Sequence, residues 1–319
     1  MVPLCNSNSG LSRLVVGSSV EMAKTFLKSH DLTFVDRPKT AAGKYTTYNY
    51  KDITWSPYGS YWRQARKICV MELFSAKRLE SYEYIRGEEL RSLLKTLFSS
   101  SGNPINLKDH LSDLSLNVIS RMVLGKKYTV KNEGENEIVT PEEFKEMLDE
   151  LFLLNGVLDI GDSIPWLAFL DYKGEKGLKN YVAKDMVDVL LQLADDPNLE
   201  VRLERNGVKG FTQGDPSIWN DPNEFCPERF LGKEIDVKGH DFELLPFGAG
   251  RRMCPGYPLG IKVIQASLAN LLHGFKWKLP GDMKKEDLNM EEIFGLSTPR
   301  KFPLVVVAEP RLPSHVYSL

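Results

Sequence analysis

The sequence contains no run of about 18 apolar residues, the length that crosses a bilayer as a helix. Its first twenty residues, MVPLCNSNSGLSRLVVGSSV, lack the basic start and apolar core of a secretory signal. Neither sign of charge is in excess. Lys and Arg number 41 against 43 Asp and Glu, a net charge of −2, which excludes the broad basic footprint of a nucleic-acid binder. Cysteine is scarce. Cys5, Cys69, Cys226 and Cys254 lie far apart with no CxxC pair, so neither a zinc ribbon nor a disulfide framework is indicated. They are expected to be free thiols of a reducing compartment. There is no internal repeat and no low-complexity stretch. With 42% hydrophobic and 26% charged residues, the 319-residue chain reads as globular, and as soluble or at most peripheral to a membrane.

What is present is mostly helical periodicity. Val20 to Lys28 reads as a short amphipathic helix after an apolar strand at Leu14 to Val16, and Ser60 to Phe74 as a helix after a turn. Tyr82, Ile85, Leu90, Leu93, Leu94 and Leu97 mark one face of a longer helix. Another helix is closed by Gly125 at a C-cap position. Thr140, Pro141 and Glu143 form a capping-box pattern at a further helix start. Val182, Met186, Val189, Leu190 and Leu193 predict one more helical face. After Gln213 the composition shifts to Pro, Asp, Asn and Gly, an extended meander. From Leu259 to Phe275 the pattern predicts a helix whose stripe carries Ile261, Ile264, Leu268, Leu271, Leu272 and Phe275. The tail FPLVVVAEP reads as a strand. The class is mostly α with a minor β part.

The stretch PFGAGRRMCPG, Pro246 to Gly256, holds one thiol in a constrained loop just before a helix that Pro258 begins. Unpaired N–H groups and the positive dipole end lie there, and Arg251 and Arg252 add charge; both effects favour thiolate over thiol. Gly248, Gly250 and Gly256 permit positive φ and close approach to a flat partner, and Pro255 stiffens the turn. The residues leave three readings. One is a glycine-rich turn with an incidental buried cysteine. Another is a nucleotide loop, although Met253 stands where the dinucleotide fingerprint needs its third glycine. The third is a metal-ligating thiolate.

Phe247, Gly250, Arg252, Cys254 and Gly256 meet FxxGxRxCxG in full, and the loop resembles the haem-binding signature of the cytochrome P450 monooxygenases. The resemblance extends to YWRQARK, similar to the family's WxxxR helix with Trp62 and Arg66 four apart on one face, and to FCPERF, similar to its PERF motif with Arg229 as key residue. Longer stretches, among them DITWSPYGSYWRQARKICVMELFSAKR and PGYPLGIKVIQASLANLLHGFKW, resemble the plant microsomal branch and its flavonoid-hydroxylase-like members. The resemblance implies haem b, with Cys254 as axial thiolate to the iron. It implies that Phe247 shields the sulfur, and that Arg252, Trp62 and Arg66 hold the haem propionates. It also implies NADPH used indirectly through a reductase, a small lipophilic or phenolic substrate, and an endoplasmic-reticulum location. Arg63 and Lys67 are candidate contacts for an acidic reductase surface. The segment GLSTPRKFPL lies by the substrate pocket in that branch.

Several family parts have no counterpart in this sequence. There is no membrane anchor, so the chain itself is expected to be cytoplasmic or peripheral, and residues 1–13 look unrelated. DYKGEKGLKN is short for its region. Between about Gln213 and Asp215 the family has its central oxygen-activating helix, its ExxR helix and much of its sheet. Residues 14–319 therefore read as a single incomplete domain of that fold, with deletions near 172–178 and 213–215 and no catalytic distal residue. ExxR recurs only at Glu83–Arg86 and Glu88–Arg91, on an early helix, where both are expected to be solvated faces. A water-open distal side weakens oxygen activation. The expectation is a haem-dependent monooxygenase impaired by its missing segments; the alternative is an inactive remnant that binds haem weakly or not at all and acts through protein contacts.

Overall fold

A computed structural model describes residues 4–9, 12–17, 19–128, 140–156, 218–222, 224–293 and 299–318. The helix expected around Val182–Leu193 and the deletions near 172–178 and 213–215 lie outside the described residues, as does the start of GLSTPRKFPL. The backbone divides into two compact units. The first comprises Met1–Arg66 and Leu154–Cys254, the second Lys67–Leu153 and Pro255–Leu319.

The first unit opens with an antiparallel hairpin, β1 (Leu4–Ser9) and β2 (Ser12–Gly17), with Leu4 opposite Gly17. Helix α1 (Val20–Lys24) starts at Ser19, whose hydroxyl accepts from the Met22 N–H at 3.2 Å, a standard N-cap. The chain continues through a wider π-type turn, Thr25–Ser29, into α2 (Asp31–Phe34). Thr40 caps α3 (Ala41–Thr46) by accepting from the Gly43 N–H at 3.1 Å. Three consecutive left-handed residues, Tyr48, Asn49 and Tyr50, then turn the chain toward α4 (Ser60–Ile68). The expected helix over Ser60–Phe74 is thus present, with its last turn widened into a π-type turn at Cys69–Leu73. The described residues of the predicted meander include a 3₁₀ turn at Pro227–Phe230.

The second unit contains the apolar core. Helices α5 (Ala76–Ser81), α6 (Glu83–Ser99) and α7 (Leu107–Leu124) precede α8 (Pro141–Gly156) and α9 (Tyr257–Gly274). A three-stranded antiparallel sheet runs in the order β3 (Pro104–Asn106), β5 (Val305–Pro310), β4 (Phe275–Lys278). Val306 and Ala308 of β5 face inward at alternate positions, as the two-residue strand period requires. They join Leu79, Ile85, Leu97, Val118, Leu271 and Phe275 in one cluster. Tyr317 closes it. Its ring stacks on Phe98 at 4.7 Å, and its hydroxyl donates to the Gly274 carbonyl at the end of α9.

The caps read from sequence are present: Gly125 ends α7 at φ 72°, and Thr140 and Glu143 exchange both capping-box bonds, at 2.8 and 3.2 Å. One other expectation is corrected. On α9 the buried residues are Leu259, Ser267, Leu271 and Gly274, while Ile264, Leu268 and Leu272 of the predicted stripe are exposed. Small Ser267 and Gly274 permit close approach of the core, so packing selects that face over the bulkier line. The second ExxR does face solvent as expected: Glu88 and Arg91 are exposed, and Glu88 accepts from Arg121 at 2.6 Å at the surface. Its neighbour Glu89 is buried and accepts from Arg121 at 2.5 Å and Lys127 at 2.8 Å, tying α6 to α7. Removing the cations from such a carboxylate costs roughly 3–5 kcal/mol.

Candidate haem-thiolate site

The loop from Leu245 is wound tightly by its own backbone. Gly248 N–H donates to the Leu245 carbonyl at 3.0 Å, Met253 N–H to Gly250 at 3.2 Å, and Cys254 N–H to Phe247 at 2.9 Å. Glycine is required at position 250. Its φ is +66°, and a β-carbon there would lie 2.2 Å from the Leu27 carbonyl oxygen. Gly248 is also left-handed, at +72°. The loop thus presents Cys254 as an exposed free thiol. In the second unit, Gly256 is the N-cap of α9, with Pro258 in the first turn as the sequence indicated. A β-carbon on Gly256 would lie 3.3 Å from the Phe74 ring.

The two arginines of the loop serve different ends. Arg251 is paired with Asp31 at 2.6 Å and reaches the Tyr58 hydroxyl at 3.2 Å, so its charge is matched by a carboxylate and not left for the sulfur. Arg252 crosses to the first stretch of the unit. Its Nε donates to the Val35 carbonyl at 2.8 Å, Nη2 to Ser56 at 2.7 Å, and Nη1 to Ile53 at 3.5 Å. None of these partners is a carboxylate.

Trp62 is the centre of this group. It is 3% exposed, and its indole N–H donates to the same Ile53 carbonyl at 2.9 Å. The Arg252 guanidinium lies 4.5 Å from its ring centroid and that of Arg66 5.4 Å, both within cation–π range. Tyr58, one turn earlier, meets Trp62 at 5.5 Å and takes Arg63 over its own ring. Burial and the like charges of Arg37 and Arg66 hold the Arg252 guanidinium below its ordinary value, with Asp36 and Asp52 opposing. A cation in those surroundings gains from a neighbouring anion. Closely set guanidiniums on an aromatic plate, near an exposed thiol in a rigid loop, suit a planar group with carboxylate arms and a metal centre. The residues present therefore fit haem.

The structure brings Trp62, Arg66 and Arg252 together and puts Phe247, Gly250 and Cys254 in one loop. Arg37, Tyr58 and the acceptor carbonyls were missed from sequence. Tyr58 was findable, since Tyr58, Trp62 and Arg66 follow one another at helical spacing; no pattern announces a backbone carbonyl. Arg229 stands apart from the group. It donates to the carbonyls of Cys226, Asn220, Asp221 and Glu224 at 2.7 to 3.1 Å, and so braces its own meander. Among the described residues no His, Cys, Asp or Glu cluster could hold a metal ion, and no helix is long and apolar enough to cross a membrane.

This combination, a mostly helical fold with a small sheet and a cysteine loop beside clustered arginines, defines the haem-thiolate class. The family model for Cytochrome P450 matches residues 3–201 and 210–305, taking in most of the N-terminal segment as well. The chain belongs to the cytochrome P450 family. Trimethyltridecatetraene synthase of Zea mays is 34% identical over an alignment of 466 residues, covering 99% of this chain and 83% of that protein. Flavonoid 3'-monooxygenase of Petunia hybrida is 30% identical over 448 residues, covering 99% of this chain and 87% of that one. Both alignments are far longer than the 319 residues of this chain, which is truncated relative to them. A zebrafish cytochrome P450 solved with abiraterone has the same fold, with a TM-score of 0.66 at 17% identity over 97% of this chain and 96% of that one.

Proposed function

We propose that this chain derives from a haem monooxygenase of plant secondary metabolism acting on a small lipophilic or phenolic substrate, and that it retains the proximal half of the haem site. The observation that carries the reading is the Arg252–Trp62–Arg66 stack, two residues along the chain from an exposed cysteine in a glycine-specified loop. In this reading Cys254 ligates the iron as a thiolate. Arg252 and Arg66 neutralise the propionates, with Trp62 as the rigid plate that fixes both guanidiniums. Phe247 shields the sulfur, and Gly250 and Gly256 let backbone approach where a side chain would collide. When bound, haem supplies oxygen activation and insertion of one oxygen atom, with electrons from NADPH through a reductase; the family's place is the endoplasmic-reticulum membrane. The segments absent between the two halves of the chain carry the distal proton-delivering residues, so activity is impaired or lost. The domain reading we favour is a single domain deleted near 172–178 and 213–215, with residues 3–13 inside the family match.

The experiment is expression with haem supply, reduction, and addition of carbon monoxide. We expect a thiolate-type ferrous–CO band that disappears in Cys254→Ala, with Arg252→Ala lowering haem retention. Wild-type protein that emerges free of haem, or a band that survives in Cys254→Ala, overturns the site. Bound haem without product formation supports the impaired form of the reading.

A further inference from the structure

In the second unit, the first turns of α7 and the segment 299–304 enclose a groove of about 440 Å³, within the range of roughly 300–1,000 Å³ that small-molecule sites occupy. We propose that this groove binds a lipophilic carboxylate, a small acid with a hydrocarbon body and one anionic head.

Leu107, Leu111, Pro303 and Leu304 supply apolar walls suited to a hydrocarbon chain. The charged residues that line it are both cations, Lys108 and Arg300. Arg300 is held in place by its Nη2, which donates to the Asn289 carbonyl at 2.8 Å, while its Nε is enclosed and has no acceptor. The adjacent cation is treated differently: Lys301 is paired with Glu291 at 2.8 Å. Arg300 and Lys108 have no ion pair among the described residues. Asp109, next to Lys108, is engaged by the Asn106 amide at 2.7 Å in the helix cap, and Glu292, across a β-bridge from Arg300, is exposed; neither lines the groove. α7 has 18 residues, and the positive end of its dipole adds to the two cations. Ser112 and Ser115, three apart on the groove side of the helix, offer hydroxyls between wall and head.

An apolar wall with unmatched positive charge selects against two simpler ligands. A neutral hydrocarbon leaves the two cations that line the groove, Lys108 and Arg300, without a counter-ion. A bare inorganic anion leaves the apolar wall in water. A lipophilic acid satisfies both. Pro299, Arg300, Pro303 and Leu304 belong to the GLSTPRKFPL segment that the resemblance puts near the substrate pocket, but none of the residues named for haem lines the groove, so the inference survives failure of the haem reading.

The test titrates dodecanoate, dodecanol and inorganic phosphate against the full chain by calorimetry, with circular dichroism to confirm that each variant is folded. We expect saturable one-to-one binding of dodecanoate, about tenfold or more tighter than dodecanol, and no binding of phosphate. Arg300→Gln and Lys108→Gln should each weaken dodecanoate by roughly tenfold and leave dodecanol unchanged. Lys108 is exposed, so its replacement reads the charge without threatening the fold. Cys254→Ala should change none of these values. Equal affinity for acid and alcohol, non-saturating binding, or indifference of dodecanoate to both substitutions overturns the proposal.

Discussion

The two units are held together by different physics. The contiguous apolar cluster, from Leu79 through Phe275 to Tyr317, lies wholly in the second unit. Among the described residues, the buried apolar residues of the first unit, such as Val35, Trp62, Trp219 and Phe242, lie outside that cluster. Arginines do the work there instead. Arg252 gathers three backbone carbonyls and Arg229 four, Tyr50 donates to one more, and Trp62 shares the Ile53 carbonyl with Arg252. A packed core tolerates no lost volume but is indifferent to direction. A set of arginine–carbonyl bonds is directional and loses everything when the planar fork is replaced. The candidate haem residues Trp62, Arg66, Arg252 and Cys254 all belong to the unit built in the second way, so what positions the site there is also what holds the unit.

The sharpest way to break this contrast is to attack the core first. Phe275 is 1% exposed and contacts both Trp277 and Tyr317. Phe275→Ala should cost about 3–5 kcal/mol, read as a lowered denaturant midpoint for the second unit. The first unit should keep its hydrogen-exchange protection at α1 and α4. Simultaneous loss of both would show that the two units unfold as one and that the contrast has no energetic meaning.

The complementary change is Arg252→Lys. A lysine keeps the charge but presents one compact head where three carbonyls wait, and it forfeits the stack on Trp62. The expected cost is about 1–3 kcal/mol, confined to the first unit, because the carbonyls of residues 35 and 56 lose their donor and that of residue 53 keeps only Trp62. Faster amide exchange over 50–66 with an unchanged second-unit midpoint is the predicted readout. An unchanged exchange rate would mean that the carbonyl bonds are incidental.

Legibility followed the same division. Features written in local sequence were readable: the Thr140 capping box, the Gly125 stop, the strand of the tail, and the motif around Cys254. The Trp62–Arg66 pair was readable too, because helix spacing puts them on one face. The direction taken by Arg252 was not, since its partners are carbonyls of residues some two hundred positions away, and every residue has a carbonyl. Nor was the role of Glu89. An acidic residue on a charged helix looks solvated until α7 brings Arg121 against it. Periodicity also failed on α9, for an instructive reason. That helix is apolar around most of its circumference, so the pattern could not say which line is inside.

The last prediction turns on that helix. Leu271 is 6% exposed, whereas Leu272 is 56% exposed, as is Leu268, with Ile264 at 57%. The three exposed residues stand four apart, so they form one line, and among the described residues that line has no partner. The relatives align over as many as 466 residues, and an apolar line that buries nothing is the residue of a design with more chain in it. Replacing all three by Gln, a residue of comparable helix propensity, should therefore move the unfolding midpoint little, by about 0.5 kcal/mol or less per site. Leu271→Gln alone, one position away, should cost several times as much, because it puts an amide into the core without a partner. The triple variant should also aggregate less, since an exposed apolar helix face favours association over solution. If instead the triple variant proves as damaging as Leu271→Gln, both faces of α9 are load-sharing, and the second unit is a complete core and not half of a larger one.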